Sequence, residues 1–155
     1  MKVKSFTFNP FQENTYIVYD NSKECIIIDP GCYTNAEEKQ IENFIIKEEL
    51  VPVKLINTHC HIDHILGNKF VHETWRLQLN MHTQEAPVLE SADATSKMYA
   101  LDNFKGLNYP KTFLNENEKI IFGETTLSIL FTPGHSPGHI CLYSKKNNIL
   151  ISGDL

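Results

Sequence analysis

The chain has 155 residues, of which 41% are hydrophobic and 10% aromatic, enough for one hydrophobic core, and this length favours a single domain over residues 1–155. Its 14 lysines and arginines face 19 acidic residues, a formal net charge of −5, which disfavours a basic surface for nucleic acid. The sequence lacks the apolar core of a secretory signal and any segment near the roughly 20 apolar residues that span a bilayer, so we expect a cytoplasmic protein that contacts neither membrane nor nucleic acid.

Three short strands are predicted at the start of the chain. Lys2–Phe8 and residues 15–20 are rich in aromatic and β-branched residues and are separated by an Asn-Pro pair, which predicts a strand pair. Residues 25–28 are a compact apolar run that stops at an Asp-Pro-Gly turn. These patterns predict β structure up to about residue 28.

A helix and a buried strand come next. Apolar residues recur at near-helical spacing over residues 35–50, with Asn35 as the predicted N-cap and Glu38 as its capping-box partner. Residues 53–57 read as a buried strand, and a second helix is predicted from His64 to about residue 75.

The rest of the chain alternates in the same way. A strand is predicted over residues 78–82, and a mixture of helix and loop, interpreted as a lid or wall, over residues 83–110. Two hairpins follow, one pairing residues 119–122 with 125–132 and one pairing residues 140–144 with 149–152. This succession of strands and helices predicts an α/β domain.

The densest chemical signal is the segment H-C-H-I-D-H, which follows the strand at residues 53–57. His59 and His61 are two residues apart on extended chain, so their side chains point the same way and can converge on one cation. Asp63 and His64, in the turn that follows, can face a second cation. The side chain of Cys60 should leave the backbone on the opposite side, which favours a packing role.

Two further segments place chemical groups just after predicted strands. In T-P-G-H-S-P-G-H the prolines and glycines fix a tight turn that can hold His135 towards a metal. His139 is better explained as a residue that orients a ligand from behind. Asp154 ends the last strand in S-G-D, where a carboxylate can lie between two cations.

Several other residues could either belong to the site or have an ordinary structural role. His72 and His82 stand outside these segments and are expected to be ordinary surface or packed histidines. Tyr99, Phe104 and Tyr109 either line a substrate cleft or are core or surface aromatics. The four cysteines lack the C-x-x-C spacing of a zinc knuckle and are interpreted as reduced thiols.

Taken together, the order H-x-H-x-D-H, later single histidine and later aspartate resembles the metallo-beta-lactamase fold family over essentially the whole chain. The resemblance implies an αβ/βα sandwich. It also implies a set of metal ligands: His59, His61 and His135 for a first ion, Asp63 and His64 for a second, and Asp154 as the bridge. Asp29 matches an aspartate that supports the site from behind the ligands, although a turn-forming role is the alternative.

Within that family, T-P-G-H-S-P-G-H-I-C-L-Y and S-G-D resemble small glyoxalase II-like hydrolases of bacteria, and an aspartate rather than a cysteine at the bridge fits that branch. The resemblance implies cleavage of thioesters such as hydroxyacylglutathione by a metal-bound hydroxide that the catalytic residues Asp63 and Asp154 orient. Up to two Zn²⁺ ions are implied, with iron or manganese as alternatives.

The sequence departs from the family at its end. Family members usually continue past G-D and supply a final histidine, whereas this chain ends at Leu155. We therefore expect the N-terminal part of the sandwich with its C-terminal strands and helices missing, weak binding of the second metal, and self-association through exposed apolar surface. The alternatives are a persulfide dioxygenase with one iron, a metallo-nuclease, or an inactive metal-binding fragment.

Overall fold

The computed structural model describes residues 1–155, which form ten strands and five helices. The strands are β1 (Lys2–Phe8), β2 (Glu13–Tyr19), β3 (Glu24–Ile28), β4 (Val51–Ile56), β5 (Leu79–His82), β6 (Lys111–Leu114), β7 (Lys119–Phe122), β8 (Thr125–Phe131), β9 (Ile140–Ser144) and β10 (Ile149–Ile151). The helices are α1 (Asn35–Lys47), α2 (Ile62–Ile65), α3 (Asn68–Trp75), α4 (Ala86–Glu90) and α5 (Ala92–Met98), with a 3-10 turn at Thr83–Glu85.

The strands form two sheets, and the predicted α/β fold is confirmed. The first sheet has the order β1-β2-β3-β4-β5-β6; it is antiparallel from β1 to β3 and parallel from β3 to β6. The second sheet is antiparallel, with the order β10-β9-β8-β7. Because β3, β4 and β5 run parallel, the loops that follow them meet at one edge of the first sheet.

Both faces of the first sheet are buried. Ile17 and Ile27 face the core shared with the helices, whereas their neighbours Val18, Ile26 and Ile28 face the core shared with the second sheet. This explains why residues 25–28 of β3 are an unbroken apolar run, since a strand covered on both faces has no solvent side. Each such side chain contributes about 1.5–3 kcal/mol through burial.

The start of α1 differs by one residue from the prediction. Thr34, not Asn35, is the N-cap, because its backbone is extended (φ −110°, ψ 156°) and its Oγ1 accepts a hydrogen bond from the Glu37 amide. The Glu37 carboxylate accepts in return from the Thr34 amide, so Glu37 replaces the predicted Glu38 in the capping box. The type of motif was right and its position was wrong.

The single helix predicted from His64 to about residue 75 is wrong, because the chain forms α2 and α3 with a break at Gly67. The Gly67 amide donates to the Pro30 carbonyl over 2.7 Å. A Cβ at this position would lie 2.8 Å from that same oxygen and would overlap the Cys32 sulfur. The break thus seats the chain tightly against the loop that follows β3.

Three further features of the fold concern the irregular stretch, the exposed face of the second sheet and the helix lengths. Residues 83–110 contain the predicted mixture of helix and loop, but β6 was not predicted. Ile121, Leu130 and Leu150 are exposed on the second sheet. Self-association stays a prediction. None of the helices is both long and apolar enough to cross a bilayer.

Candidate metal centre

The structure brings the three predicted segments together at the edge where β3 and β4 end. The loop after β4 carries His59 and His61, and α2, which follows it directly, carries Asp63 and His64. The loop between β8 and β9 carries His135. Ligand atoms of His59, His61 and His135 lie within 4.8 Å of one another, and so do those of Asp63, His64 and Asp154. We call these the three-histidine group and the carboxylate group.

In the three-histidine group the rings surround a common point. Their centroids are 4.6–4.9 Å apart, and Nδ1 of His61 lies 2.9 Å from Nε2 of His135. Nε2 of His59 is buried and has no hydrogen-bond partner. A buried nitrogen without a partner is unfavourable unless a cation is its partner, so these residues fit a metal such as Zn²⁺.

The hydrogen bonds behind His59 determine which nitrogen of its ring has a lone pair available for a cation. The Thr58 hydroxyl donates to Oδ2 of Asp29 over 2.6 Å, so its oxygen can accept a hydrogen bond from Nδ1 of His59, 3.1 Å away. This assigns the proton to Nδ1 and leaves the lone pair on Nε2. Burial, together with the neighbouring rings, lowers the pKa of His59, and burial also lowers the pKa of His61.

The carboxylate group adjoins the first through Asp154. Oδ1 of Asp154 lies 3.3 Å from Nε2 of His64, and its Oδ2 lies 3.7 Å from Nε2 of His135. Asp63 is the third member, with Oδ2 3.5 Å from Nε2 of His64. One oxygen of Asp154 therefore faces each group, which is the position that a bridging carboxylate needs.

His64 is held by acids on its other side as well. Its Nδ1 lies 3.2 Å from Oδ2 of Asp29 and 3.9 Å from Oε1 of Glu13. Burial lowers the pKa of His64, but the carboxylates of Asp29, Glu13 and Asp63 outweigh burial and raise this pKa to about 10. A cation that binds this ring must therefore displace a proton.

Asp29 is a supporting residue by its contacts. Its Oδ1 accepts from the Thr58 amide over 2.7 Å and from Nδ2 of Asn57 over 3.3 Å. Its backbone is also left-handed (φ 49°), at the turn that ends β3. Asp29, His59 and His64 form a further cluster of buried ligand atoms, but the Asp29 oxygens already have donors. Its position at the turn and its contacts behind the histidines are compatible with both predicted roles, which stay predictions.

His139 lies beside the three-histidine group but not in it. Its Nδ1 is 2.8 Å from the Thr132 hydroxyl, and its ring centroid is 5.2 Å from that of His59. Nε2 of His139 is buried without a partner, and a Cβ on Gly153 would lie 2.7 Å from it. The ring packs closely behind the site, and its predicted role in orienting a ligand stays a prediction.

Two acidic residues of the site escaped the sequence analysis. Glu13 is buried in β2, and burial raises its pKa to about 9. Glu85 is fully buried at the end of the 3-10 turn and accepts hydrogen bonds from both loops that carry histidines. Neither residue lies in a recognisable sequence motif, and only the contacts of the folded chain show that both belong to the site.

The remaining histidines and Cys60 lie as predicted. The Cys60 sulfur points away from the histidines and lies 3.4 Å from that of Met81. The ring of His82 stacks on Phe131 with centroids 4.5 Å apart, and Nδ1 of His72 lies 2.8 Å from a backbone carbonyl oxygen.

A cavity of about 270 Å³ opens onto both groups. It is lined by Phe11, His61, Ile62, Asp63, Thr95, Tyr99, His135 and Asp154. The rings of Phe11 and Tyr99 meet edge to face, with centroids 5.3 Å apart, and form an apolar wall. Of the three aromatic residues considered for a cleft, Tyr99 lines this cavity, whereas Tyr109 is buried and Phe104 is packed against the core.

Comparison with known proteins identifies the family. The family model described as the metallo-beta-lactamase superfamily matches residues 8–155, and the chain belongs to that superfamily. It is 32% identical to the probable metallo-hydrolase YqgX of Bacillus subtilis (strain 168), covering 100% of this chain and 71% of the relative. It is 26% identical to the hydroxyacylglutathione hydrolase GloC of Haemophilus influenzae, covering 100% of this chain and 72% of that relative.

Two solved structures are similar as well. The BLEG-1 B3 metallo-beta-lactamase has a TM-score of 0.84 at 29% identity, and the match covers 99% of this chain and 72% of the lactamase. TTHA1623 in a di-iron-bound form has a TM-score of 0.83 at 30% identity, and the match covers 98% of this chain and 72% of TTHA1623. The sandwich fold and the metallo-hydrolase class are therefore established, and the substrate and the metal are matters of proposal.

Proposed function

We propose that this metallo-hydrolase cleaves thioesters, with hydroxyacylglutathione as the representative substrate. The observation that carries the proposal is the position of Asp154, with one oxygen towards His64 and the other towards His135. Two adjacent ligand groups that share a carboxylate would hold two cations side by side, and such cations supply the Lewis acidity that hydrolysis of a thioester needs.

The site residues have two proposed tasks, which are to hold cations and to orient the attacking water. His59, His61 and His135 would hold a first ion; Asp63 and His64 would hold a second, with Asp154 between the two. When bound, divalent cations supply Lewis acidity, which polarises a carbonyl group and acidifies water. The oxygens of Asp63 and Asp154 that face the cavity can accept hydrogen bonds from a water molecule and so orient it for attack.

The cavity wall gives the substrate its orientation. Phe11, Ile62 and Tyr99 form an apolar side next to the ligand groups, where the carbon skeleton of an acyl or thiol group can pack and exclude water. The reacting carbonyl would then point towards the histidines. Cleavage adds water across the C–S bond and yields a carboxylate and a thiol.

The relatives support this choice of substrate without deciding it. GloC of Haemophilus influenzae carries the name hydroxyacylglutathione hydrolase at 26% identity. The di-iron-bound form of TTHA1623, at 30% identity, makes iron a candidate metal beside zinc and manganese. Iron also keeps the persulfide dioxygenase as a second candidate function, since that chemistry uses iron.

One set of assays tests the proposal. The protein, loaded separately with Zn²⁺, Fe²⁺ and Mn²⁺, is analysed for bound metal by mass spectrometry and assayed for thiol release from S-lactoylglutathione. We expect metal-dependent thiol release that the His135→Ala variant lacks. Oxygen uptake on glutathione persulfide by the iron form alone would establish the dioxygenase instead, and tight metal binding without turnover of either substrate would mark the chain as an inactive metal-binding fragment.

A further inference from the structure

We propose that Glu85 is a positioning residue that sets the distance between the two loops of the three-histidine group. The inference rests on the metal-binding part of the proposed function and not on its substrate. Glu85 touches neither the cavity nor the ligand atoms, so it would act only through the loops that it joins.

Each oxygen of Glu85 serves a different loop. Oε2 accepts from the Cys60 amide over 2.7 Å, in the loop after β4. Oε1 accepts from the Ser136 hydroxyl and the Gly138 amide, both over 2.6 Å, in the loop between β8 and β9. A single rigid carboxylate thus spans two segments that are 76 residues apart between Cys60 and Ser136 (136 minus 60).

The bonded positions are those that aim the histidines. Cys60 lies between His59 and His61, so fixing its amide fixes the strand-like alternation that points both rings to the same side. Ser136 immediately follows His135, so its bond fixes the turn from which that ring projects. Glu85 therefore constrains the backbone at each of the three ligands.

The second loop also packs directly against the 3-10 turn. A Cβ at Gly138 would lie 2.7 Å from the Glu85 amide nitrogen and 2.8 Å from its Cγ. Only glycine permits this approach without a shift of the backbone. The close packing is independent of the carboxylate hydrogen bonds and fixes the same distance.

The turn itself is a firm support. It follows β5 directly, and the Gln84 amide donates to Nδ1 of the buried His82 over 3.3 Å. Glu85 is fully buried, and three donors hold its carboxylate in one orientation. An interaction of this kind behind metal ligands typically changes metal affinity by about 10- to 100-fold when it is removed.

The test is Glu85→Gln, which keeps the shape of the side chain but sets an NH2 group against N–H or O–H donors on one of its two sides. We expect its affinity for Zn²⁺, measured by competition with a chromophoric chelator, to fall about 10- to 100-fold. We also expect the visible absorption spectrum of the Co²⁺-loaded variant to change in intensity, because the geometry of the ligands has changed. Circular dichroism of the metal-free proteins verifies the fold.

Asp20→Asn is the matched control. Asp20 is another buried carboxylate with several donors, but it joins the β2–β3 turn to the hairpin of β7 and β8, away from the site. We expect this variant to lose stability while it keeps the wild-type Zn²⁺ affinity and Co²⁺ spectrum. Wild-type affinity and spectrum in Glu85→Gln would overturn the inference, as would an equal loss of affinity in Asp20→Asn.

A second variant covers the case in which Glu85→Gln does not fold. Gly138→Ala leaves the carboxylate intact but pushes the loop of His135 away from the turn, and we expect the same direction of change in Zn²⁺ affinity and Co²⁺ spectrum. Unchanged values in that variant would overturn the inference. Since both readouts use the metal alone, a wild-type protein that binds Zn²⁺ but cleaves no thioester would contradict the proposed substrate and leave this test intact.

Discussion

The two ligand groups lie side by side but differ in charge. In the three-histidine group, burial and the neighbouring rings lower the pKa of His59, and burial lowers that of His61. In the carboxylate group, the surrounding acids raise the pKa of His64 to about 10. The rings of His59 and His61 therefore favour the neutral form, whereas the ring of His64 favours the protonated form among carboxylates.

This difference concerns what a cation must displace. A cation that enters the three-histidine group gives the buried Nε2 of His59 a partner and replaces the 2.9 Å contact between Nδ1 of His61 and Nε2 of His135. A cation that enters the carboxylate group displaces the proton of His64 and competes with its contacts to Asp63 and Asp154. We infer that the first group is the tighter site.

The largest effect is expected from breaking the three-histidine group. His59→Ala should lower the affinity for the first Zn²⁺ by more than about 100-fold, since loss of an outer partner alone costs about 10- to 100-fold. Equilibrium dialysis followed by mass spectrometry of bound metal measures this. His72→Ala, which removes a histidine outside both groups, is the control and should bind Zn²⁺ as the wild type does. Equal metal content in the His59 and His72 variants would remove the first group as a site.

The bridge joins the two groups, and removing its charge should affect the second ion most. Asp154→Asn keeps the size of the side chain but lowers the negative charge beside His64 and His135. We expect the second equivalent of Zn²⁺ to bind at least about 10-fold more weakly while the first is retained, since loss of an outer partner alone costs about 10- to 100-fold. Isothermal titration resolves the two equivalents. A variant that still takes up both equivalents with wild-type affinity would show that Asp154 does not bridge.

The cavity wall should affect substrate binding and not the metal. Tyr99→Ala removes one ring of the edge-to-face pair with Phe11, and such pairs contribute about 0.5–1.5 kcal/mol. We therefore expect KM for S-lactoylglutathione to rise about 2- to 10-fold with kcat nearly unchanged, since 1.4 kcal/mol corresponds to about tenfold. Met98→Ala changes the exposed neighbouring side chain, which does not line the cavity, and should leave KM unaltered. A fall in kcat at constant KM would place Tyr99 in the chemistry instead.

The sequence predicts those parts of the site whose residues lie close together along the chain. His59, His61, Asp63 and His64 lie within six positions, so their spacing alone predicts convergence, and the turn residues around His135 gave a second local signal. Glu85 was missed because its partners lie 25 to 53 residues away along the chain. An isolated glutamate in an irregular stretch has no local pattern that predicts such contacts.

The fold shows the same division. The strands β1 to β5 and both hairpins follow from apolar patterning and turn residues. β6 was missed because three of its four residues are exposed and its strand conformation depends on pairing with β5. The break at Gly67 was not predicted because it depends on close contacts with Pro30 and Cys32, which lie in the distant loop after β3. Tertiary contacts override local propensity at both places.

No effect on metal or substrate binding is expected at a carboxylate remote from both groups, and this carboxylate separates the stability of the scaffold from the charge of the site. Although burial opposes ionisation of Asp20, hydrogen bonds from Ser22, Thr125 and the Glu124 amide outweigh it and lower the pKa of this carboxyl to about 2. The unfolded value is about 3.9. Because the folded pKa is the lower one, the stabilisation is present above about pH 4 and is lost as the pH falls through about 2.

Asp20→Asn should therefore reduce the free energy of unfolding at neutral pH by on the order of 1 to 2 kcal/mol, and less at low pH, where the wild type has lost the same contribution. Urea denaturation of the metal-free proteins at a series of pH values measures both. The two stability curves should approach each other below about pH 4 and converge as the pH falls through about 2. Curves that stay parallel over this range would show that Asp20 is not held ionised by its donors. Metal-free samples are essential, since a cation bound to the ligand groups adds its own pH-dependent stabilisation and would hide so small a difference.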